Sequence, residues 1–102
     1  MTRTVWPAKD PAERLVASFD YRDALDAGET IASALVTATL LAGSDADPSA
    51  LLDGLPTISG GLVLQPFHGG LDSASYTLRC QATLSPSSRV LVLAATLPVR
   101  TA

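Results

Sequence analysis

From Tyr76 to Leu84 the chain alternates without a break. Tyr76, Leu78, Cys80, Ala82 and Leu84 fall on one side; Thr77, Arg79, Gln81 and Thr83 fall on the other. Successive side chains of a strand point to opposite faces, so this is the period of a half-buried β-strand. No helix can bury the same set on one stripe. Residues 15–22 repeat the pattern, with Leu15, Ala17, Phe19 and Tyr21 against Val16, Ser18, Asp20 and Arg22. Two such segments in a short chain point to antiparallel sheets with one face on a core.

Residues 29–42 are ambiguous, because Ile31, Ala34, Leu35, Ala38 and Leu41 also fit a helical stripe with Gly43 as its stop. The β-branched Thr30, Ile31, Val36, Thr37 and Thr39 favour a strand. Residues 43–54 form a polar loop in which Asp47-Pro48 suits one short helical turn. Ile58, Leu62 and Leu64 suggest short strands around a kink or bulge at Gly60-Gly61, and 66–70 a turn or strand end. Ser85-Pro86-Ser87-Ser88 makes a hairpin loop. The last run is apolar on both faces: Leu91, Leu93, Leu97 and Val99 on one, Val90, Val92 and Ala94 on the other. Such a strand must be covered twice, once by the core and once by the arm or another subunit.

Residues 1–14 carry Pro7, Pro11 and scattered charge, which predicts an extended arm. The expected organisation is therefore an arm over 1–14 and one all-β sandwich over 15–102. Trp6 has two readings. It packs on the edge of its own sandwich, or it anchors into a neighbouring subunit, as tryptophan does at binding hot spots.

At 102 residues the chain has room for one core. Net charge is −3 and unevenly spread. Residues 15–70 hold Arg22 alone against Asp20, Asp23, Asp26, Glu29, Asp45, Asp47 and Asp53, while residues 71–102 hold Arg79, Arg89 and Arg100 against Asp72. That asymmetry suits head-to-tail contacts between copies. It argues against nucleic acid, which wants a concentrated basic face. The lone Cys80 excludes an intrachain disulfide and fits a protein made in the cytoplasm. MTRTVWPAKD lacks the apolar stretch of a signal peptide. The run Val90–Val99 is far short of the ~20 residues of a membrane helix.

No catalytic set emerges. The acids Asp20, Asp23, Asp26 and Glu29 read as a solvated strand end and turn rather than a cation site. Asp45 and Asp47 open like a calcium loop, but Ala50 stands at the sixth position and Pro56 at the twelfth. His68 is the single histidine and, with one unrelated cysteine, gives no metal spacing. The chain also lacks a nucleophile elbow and a phosphate-cradling glycine loop. No cofactor, metal or enzymatic activity is expected.

Two blocks of residues carry a resemblance. The first is Lys9-Asp10-Pro11, Glu13, Leu15, Ser18, Asp20, Tyr21, Leu25, Gly28-Glu29-Thr30-Ile31 and Ser33; the second is Gly69-Gly70 followed by Tyr76 and its alternating strand. Together they resemble a family of small phage and prophage virion proteins, immunoglobulin-like β-sandwiches of the head–tail, neck or tail-adaptor region. The segment before Tyr76 resembles the start of the F strand of immunoglobulin and fibronectin-like domains, where a tyrosine hydroxyl bonds back to upstream backbone. The chain departs from the family at Tyr21, where relatives carry Trp, in a longer loop over 43–53, and in the Ser-Pro-Ser-Ser hairpin.

The resemblance implies a non-enzymatic virion component, made in the bacterial host and assembled in symmetric copies at a head–tail, neck or tail-fibre junction. Its partners would be other virion proteins and copies of itself, with no membrane and no nucleic acid. The residues expected to form the assembly contacts are Trp6, Pro7 and Lys9 in the arm, and Val90, Val92 and Ala94 on the outer face of the last strand. The alternative is a carbohydrate- or ligand-binding β-sandwich, which needs exposed aromatic platforms. The chain has five aromatics (Trp6, Phe19, Tyr21, Phe67 and Tyr76), and two of them read as buried.

Overall fold

A computed structural model describes residues 4–102, so the first three residues of the expected arm lie outside the described residues. Seven strands run in chain order: β1 (Thr4–Val5), β2 (Arg14–Asp20), β3 (Thr30–Ala42), β4 (Thr57–Ser59), β5 (Leu62–His68), β6 (Ser75–Ser85) and β7 (Val90–Pro98). One 3-10 turn, Pro48–Leu51, follows Asp47 with Pro48 at its first position. Four strands form one sheet in the order β1-β7-β6-β3; three form the other in the order β2-β5-β4. All pairs are antiparallel except β1 with β7.

The alternations of the sequence become the inner faces of the two sheets. Ala17, Phe19 and Tyr21 from one sheet meet Val36, Ala38, Leu78, Cys80, Ala82 and Leu97 from the other in a single buried cluster. Fully burying a Leu, Val or Phe side chain stabilises by about 1.5–3 kcal/mol, so this shared row is what holds the sheets together. Leu15 starts the β2 row but is 41% exposed, because it sits on an edge strand at the rim of the sandwich. The ambiguous segment 29–42 is a strand, with Ile31, Val36 and Ala38 inward. Register shifts at Ile31/Ser33 and Leu40/Ala42 mark irregularities near its two ends.

Two local expectations change. Gly60-Gly61 is neither a kink nor a bulge; it is the two-residue turn between paired Ser59 and Leu62, with Gly60 at φ +59°. The strand also continues through Pro66 and ends at His68, so of the two readings of 66–70 the turn gives way to the strand end. Proline is tolerated because Pro66 serves the side away from β2 as an acceptor, taking the Asp53 N–H at its carbonyl at 3.0 Å.

The two ends of the sandwich are closed differently. At one end the Tyr76 hydroxyl accepts from the Leu71 N–H at 2.9 Å and donates to Asp45 Oδ2 at 2.6 Å. This is the backward bond expected for the tyrosine. Gly70, at φ +88°, packs so closely that a Cβ would lie 2.9 Å from Val99 Cγ2 and 3.3 Å from Leu51 Cδ1. At the other end Arg89 and Ser87 of the hairpin clamp Glu29. Arg89 Nε donates to Glu29 Oε2 at 3.0 Å, and Arg89 Nη2 reaches the Ala24 carbonyl at 3.0 Å. Between the ends, the Tyr21 hydroxyl crosses from one sheet to the other and donates to the Cys80 carbonyl at 2.8 Å.

Candidate functional site

The outward residues of the four-stranded sheet follow from its register. Val90 lies beside Thr83 and Ser33, Val92 beside Gln81 and Leu35, Ala94 beside Arg79 and Thr37, and Thr96 beside Thr77, Thr39 and Val5. These strands therefore present aliphatic and hydroxyl side chains, with Arg79 their one charge across β3, β6 and β7. Leu35 is 58% exposed, Val90 51% and Val5 68%. Exposed apolar residues are common singly; gathered on one flat face with one charge, they mark an interaction surface. No local pattern in the sequence joins Leu35 and Val5 to Val90 and Val92; the strand register does.

The arm residues divide by role. Trp6 is half-buried and donates its backbone N–H to the Thr96 carbonyl at 2.9 Å, beside the edge of β7. Its ring lies 5.7 Å from Phe19 and 6.2 Å from Phe67, spanning the seam between the sheets. Pro7 is exposed. Lys9 is 1% exposed, and its Nζ donates to the carbonyls of Gly69 and Asp10, each at 2.8 Å. Burial lowers its pKa, while Glu13 and Asp10 favour the charge. A buried ammonium is kept where its protons find carbonyl acceptors. The Lys9 backbone also donates to the Pro98 carbonyl and accepts from Arg100, so this residue pins the arm to the end of the last strand. The structure thus brings Trp6 to the groove between the sheets and leaves Val90, Val92 and Ala94 on the open face. The Lys9 side chain is occupied inside the domain.

Beneath the arm a groove of about 480 Å³ opens along β2, lined among others by Trp6, Pro7, Leu15, Ala17, Phe67 and Leu97. Its lining is mostly apolar, with Glu13 the one acidic side chain among the described residues that line it.

The polar residues weighed for chemistry are dispersed. Asp20 pairs with Arg22 at 2.8 Å, which draws its carboxyl down to about 2. Glu29 lies near 2 for the same reason, held by Arg89 and Ser87. Cys80 is buried in the core, and desolvation pushes its thiol up, away from nucleophilic character. His68 is half-buried at the end of β5. Among the described residues no group of three or more His, Cys, Asp or Glu side chains could hold a metal ion. Phe19, Tyr21, Phe67 and Tyr76 are all buried. No helix among the described residues is long and apolar enough to cross a membrane.

Compared with known proteins, the chain matches over residues 9–98 the family model described as the podophage GP4 fiber-tail adaptor protein gp77. No curated protein matches it. The matched span runs from the buried Lys9 to the end of the last strand and so takes in both sheets except for the short β1. The chain belongs to this podophage fiber-tail adaptor family, and is a non-enzymatic structural component of the phage virion.

Proposed function

We propose that the chain works at the attachment of fibres to the tail, and that it makes its contacts through the N-terminal arm and the outer face of the four-stranded sheet. The observation that carries this reading is the face itself: Val90, Val92, Ala94, Leu35 and Val5 among hydroxyl residues, with Arg79 as the lone charge. Depletion of charge and a raised apolar share mark the buried centre of an interface. Trp6 lies in the groove between the sheets, with the exposed Pro7 beside it, and gives the arm a second contact surface. On this reading residues 1–14 are an arm serving assembly and 15–102 the sandwich that carries it, with Lys9 pinning the arm in place. The partners are other virion proteins and further copies in a symmetric arrangement. Nucleic acid finds no basic face among the described residues, where Arg79 is the one cation across β3, β6 and β7 of a chain at net charge −3.

The immunoglobulin-like reading is supported by the strand order. β2-β5-β4 stand as B-E-D, and β7-β6-β3 as G-F-C. The first strand departs from that plan by joining β7 instead of β2.

A carbohydrate-binding role has no observation in its favour, because four of the five aromatics are buried and no aromatic platform is exposed. The test of the adaptor reading is complementation of phage lacking this chain with the double substitution Val90→Asp and Val92→Asp. Intact folding with loss of the chain and of the fibres from particles is expected. Normal fibre occupancy with the double variant would overturn the assignment of this face.

A further inference from the structure

We infer that the free edge of β2 is a self-association site, at which a second copy of this chain adds its own β2 antiparallel and joins the two three-stranded sheets into one of six strands. This lies on a different surface from the face proposed above and does not depend on it.

The sandwich has four sheet edges, and three of them are blunted. β1 is two residues long and runs into Pro7; β4 is three residues long; β3 has register irregularities near both ends and packs beside the 48–51 turn. Short strands, proline and bulges are the devices that keep edges from pairing. β2 has none of them. It is seven residues long, contains no proline and keeps continuous register with β5 from Arg14 to Asp20. In the immunoglobulin plan the first strand covers this edge; here the first strand lies against β7.

Which backbone groups face the open side follows from two observations. The Tyr21 N–H donates to the Gly61 carbonyl, so Tyr21 belongs to the hydrogen-bonded set of the ladder, and Phe19, Ala17 and Leu15 with it. Val16 stands opposite Pro66, which has no N–H to exchange, so Val16 belongs to the other set. The N–H and C=O groups of Arg14, Val16, Ser18 and Asp20 therefore point away from β5, where no strand lies among the described residues.

Charge then selects the occupant and its register. In an antiparallel pairing about a twofold axis through Ala17, outward groups meet outward groups. Val16 stands opposite Ser18 of the second copy, and Arg14 opposite Asp20 of the second copy, twice over. This register uses the whole strand and places opposite charges at both ends. A shift by two residues in either direction breaks both charge pairs and leaves part of the strand unpaired. Arg14 and Asp20 are free to take part, since their present partners Asp53 and Arg22 hold them in exposed ion pairs. The inner row places Leu15, exposed at the rim, beside Phe19 of the second copy and over the mouth of the Trp6 groove. Such a contact is isologous and closes at two copies.

Sedimentation equilibrium of the full chain tests this, with far-ultraviolet circular dichroism and a thermal melt of each variant as controls on folding. The wild type is expected to dimerise with concentration. Ser18→Pro removes an outward N–H that the monomer does not use, and should leave a folded monomer. Arg14→Asp or Asp20→Arg alone sets like charges opposite each other at two places and should weaken the dimer at least tenfold. The double variant carrying both exchanges restores opposite charges and should recover most of the loss. A wild type that stays monomeric at millimolar concentration would overturn the proposal. So would a dimer indifferent to Ser18→Pro, or one abolished by Val92→Asp while the charge exchanges have no effect.

Discussion

The two ends of the sandwich do the same job with opposite chemistry. At one end Lys9, Tyr76 and Gly70 close the barrel of side chains from within, through buried groups bonded to backbone carbonyls and amides and a glycine under direct contact. At the other, Glu29, Arg89, Asp26 and Ser87 tie two loops together with ions. Buried bonds to backbone are insensitive to salt and costly to lose. Ion pairs respond to salt and to pH, and here Glu29 is shielded, its side chain 5% exposed, while Asp26 is open to solvent. The family match runs from Lys9 to Pro98 and so spans the residues of both ends. The difference teaches where this small domain is rigid by packing and where it is held by charge.

The sharpest way to break the packed end is Gly70→Ala. A Cβ there meets Val99 and Leu51 at a backbone φ of +88°, so both strain and overlap act. A loss of about 3 kcal/mol is expected, read as a lower denaturant midpoint at constant slope. Tyr76→Phe removes the hydroxyl that serves Leu71 and Asp45 and leaves the Leu71 N–H short of a partner. Its expected cost is about 1–3 kcal/mol by the same titration.

The ionic end is probed by pH. Folding draws the Glu29 carboxyl from 4.5 to about 2 through Arg89 and Ser87. A depressed folded value means that the unfolded chain binds the proton first. The contribution of Glu29 is thus complete above 4.5 and is lost as the pH falls from 4.5 toward 2. Asp20, lowered by Arg22, acts in the same direction. Glu29→Gln should flatten part of the acid-side fall in thermal midpoint, whereas Gly70→Ala, which touches only Val99, Leu51 and Tyr76 side-chain carbons, should shift the whole profile down with its shape nearly kept. If both variants change the profile alike, the contrast between the ends fails. The smallest effect is expected on the outer face, where Val92→Asp should change stability by no more than about 0.5 kcal/mol in the same melts.

The sequence made some of this legible and hid the rest for physical reasons. Alternation in β2 and β6 is a local signal, and it placed Ala17, Phe19, Tyr21, Leu78 and Cys80 on the core side where the structure has them. β3 was ambiguous because small residues such as Ala34 and Ala38 suit a helix stripe and a strand equally; its β-branched residues decide for the sheet. Arg89 and Glu29 are 60 positions apart, and no local pattern links them. Lys9 shows the limit most plainly. Lysine is almost never fully buried without partners, so sequence reasoning sets it on a surface; the acceptors that hold it inside include the Gly69 carbonyl, which only the fold brings near. The outer face needed register as well, since Leu35, Val92 and Val5 come from three distant strands.

The measurement that bears most directly on the adaptor role is a reconstruction of the intact particle at the point where fibres join the tail. The account predicts this chain at that junction, with Val90, Val92, Ala94 and Leu35 buried against another virion protein. A chain found elsewhere in the particle, or found there with that face open to solvent, would contradict it.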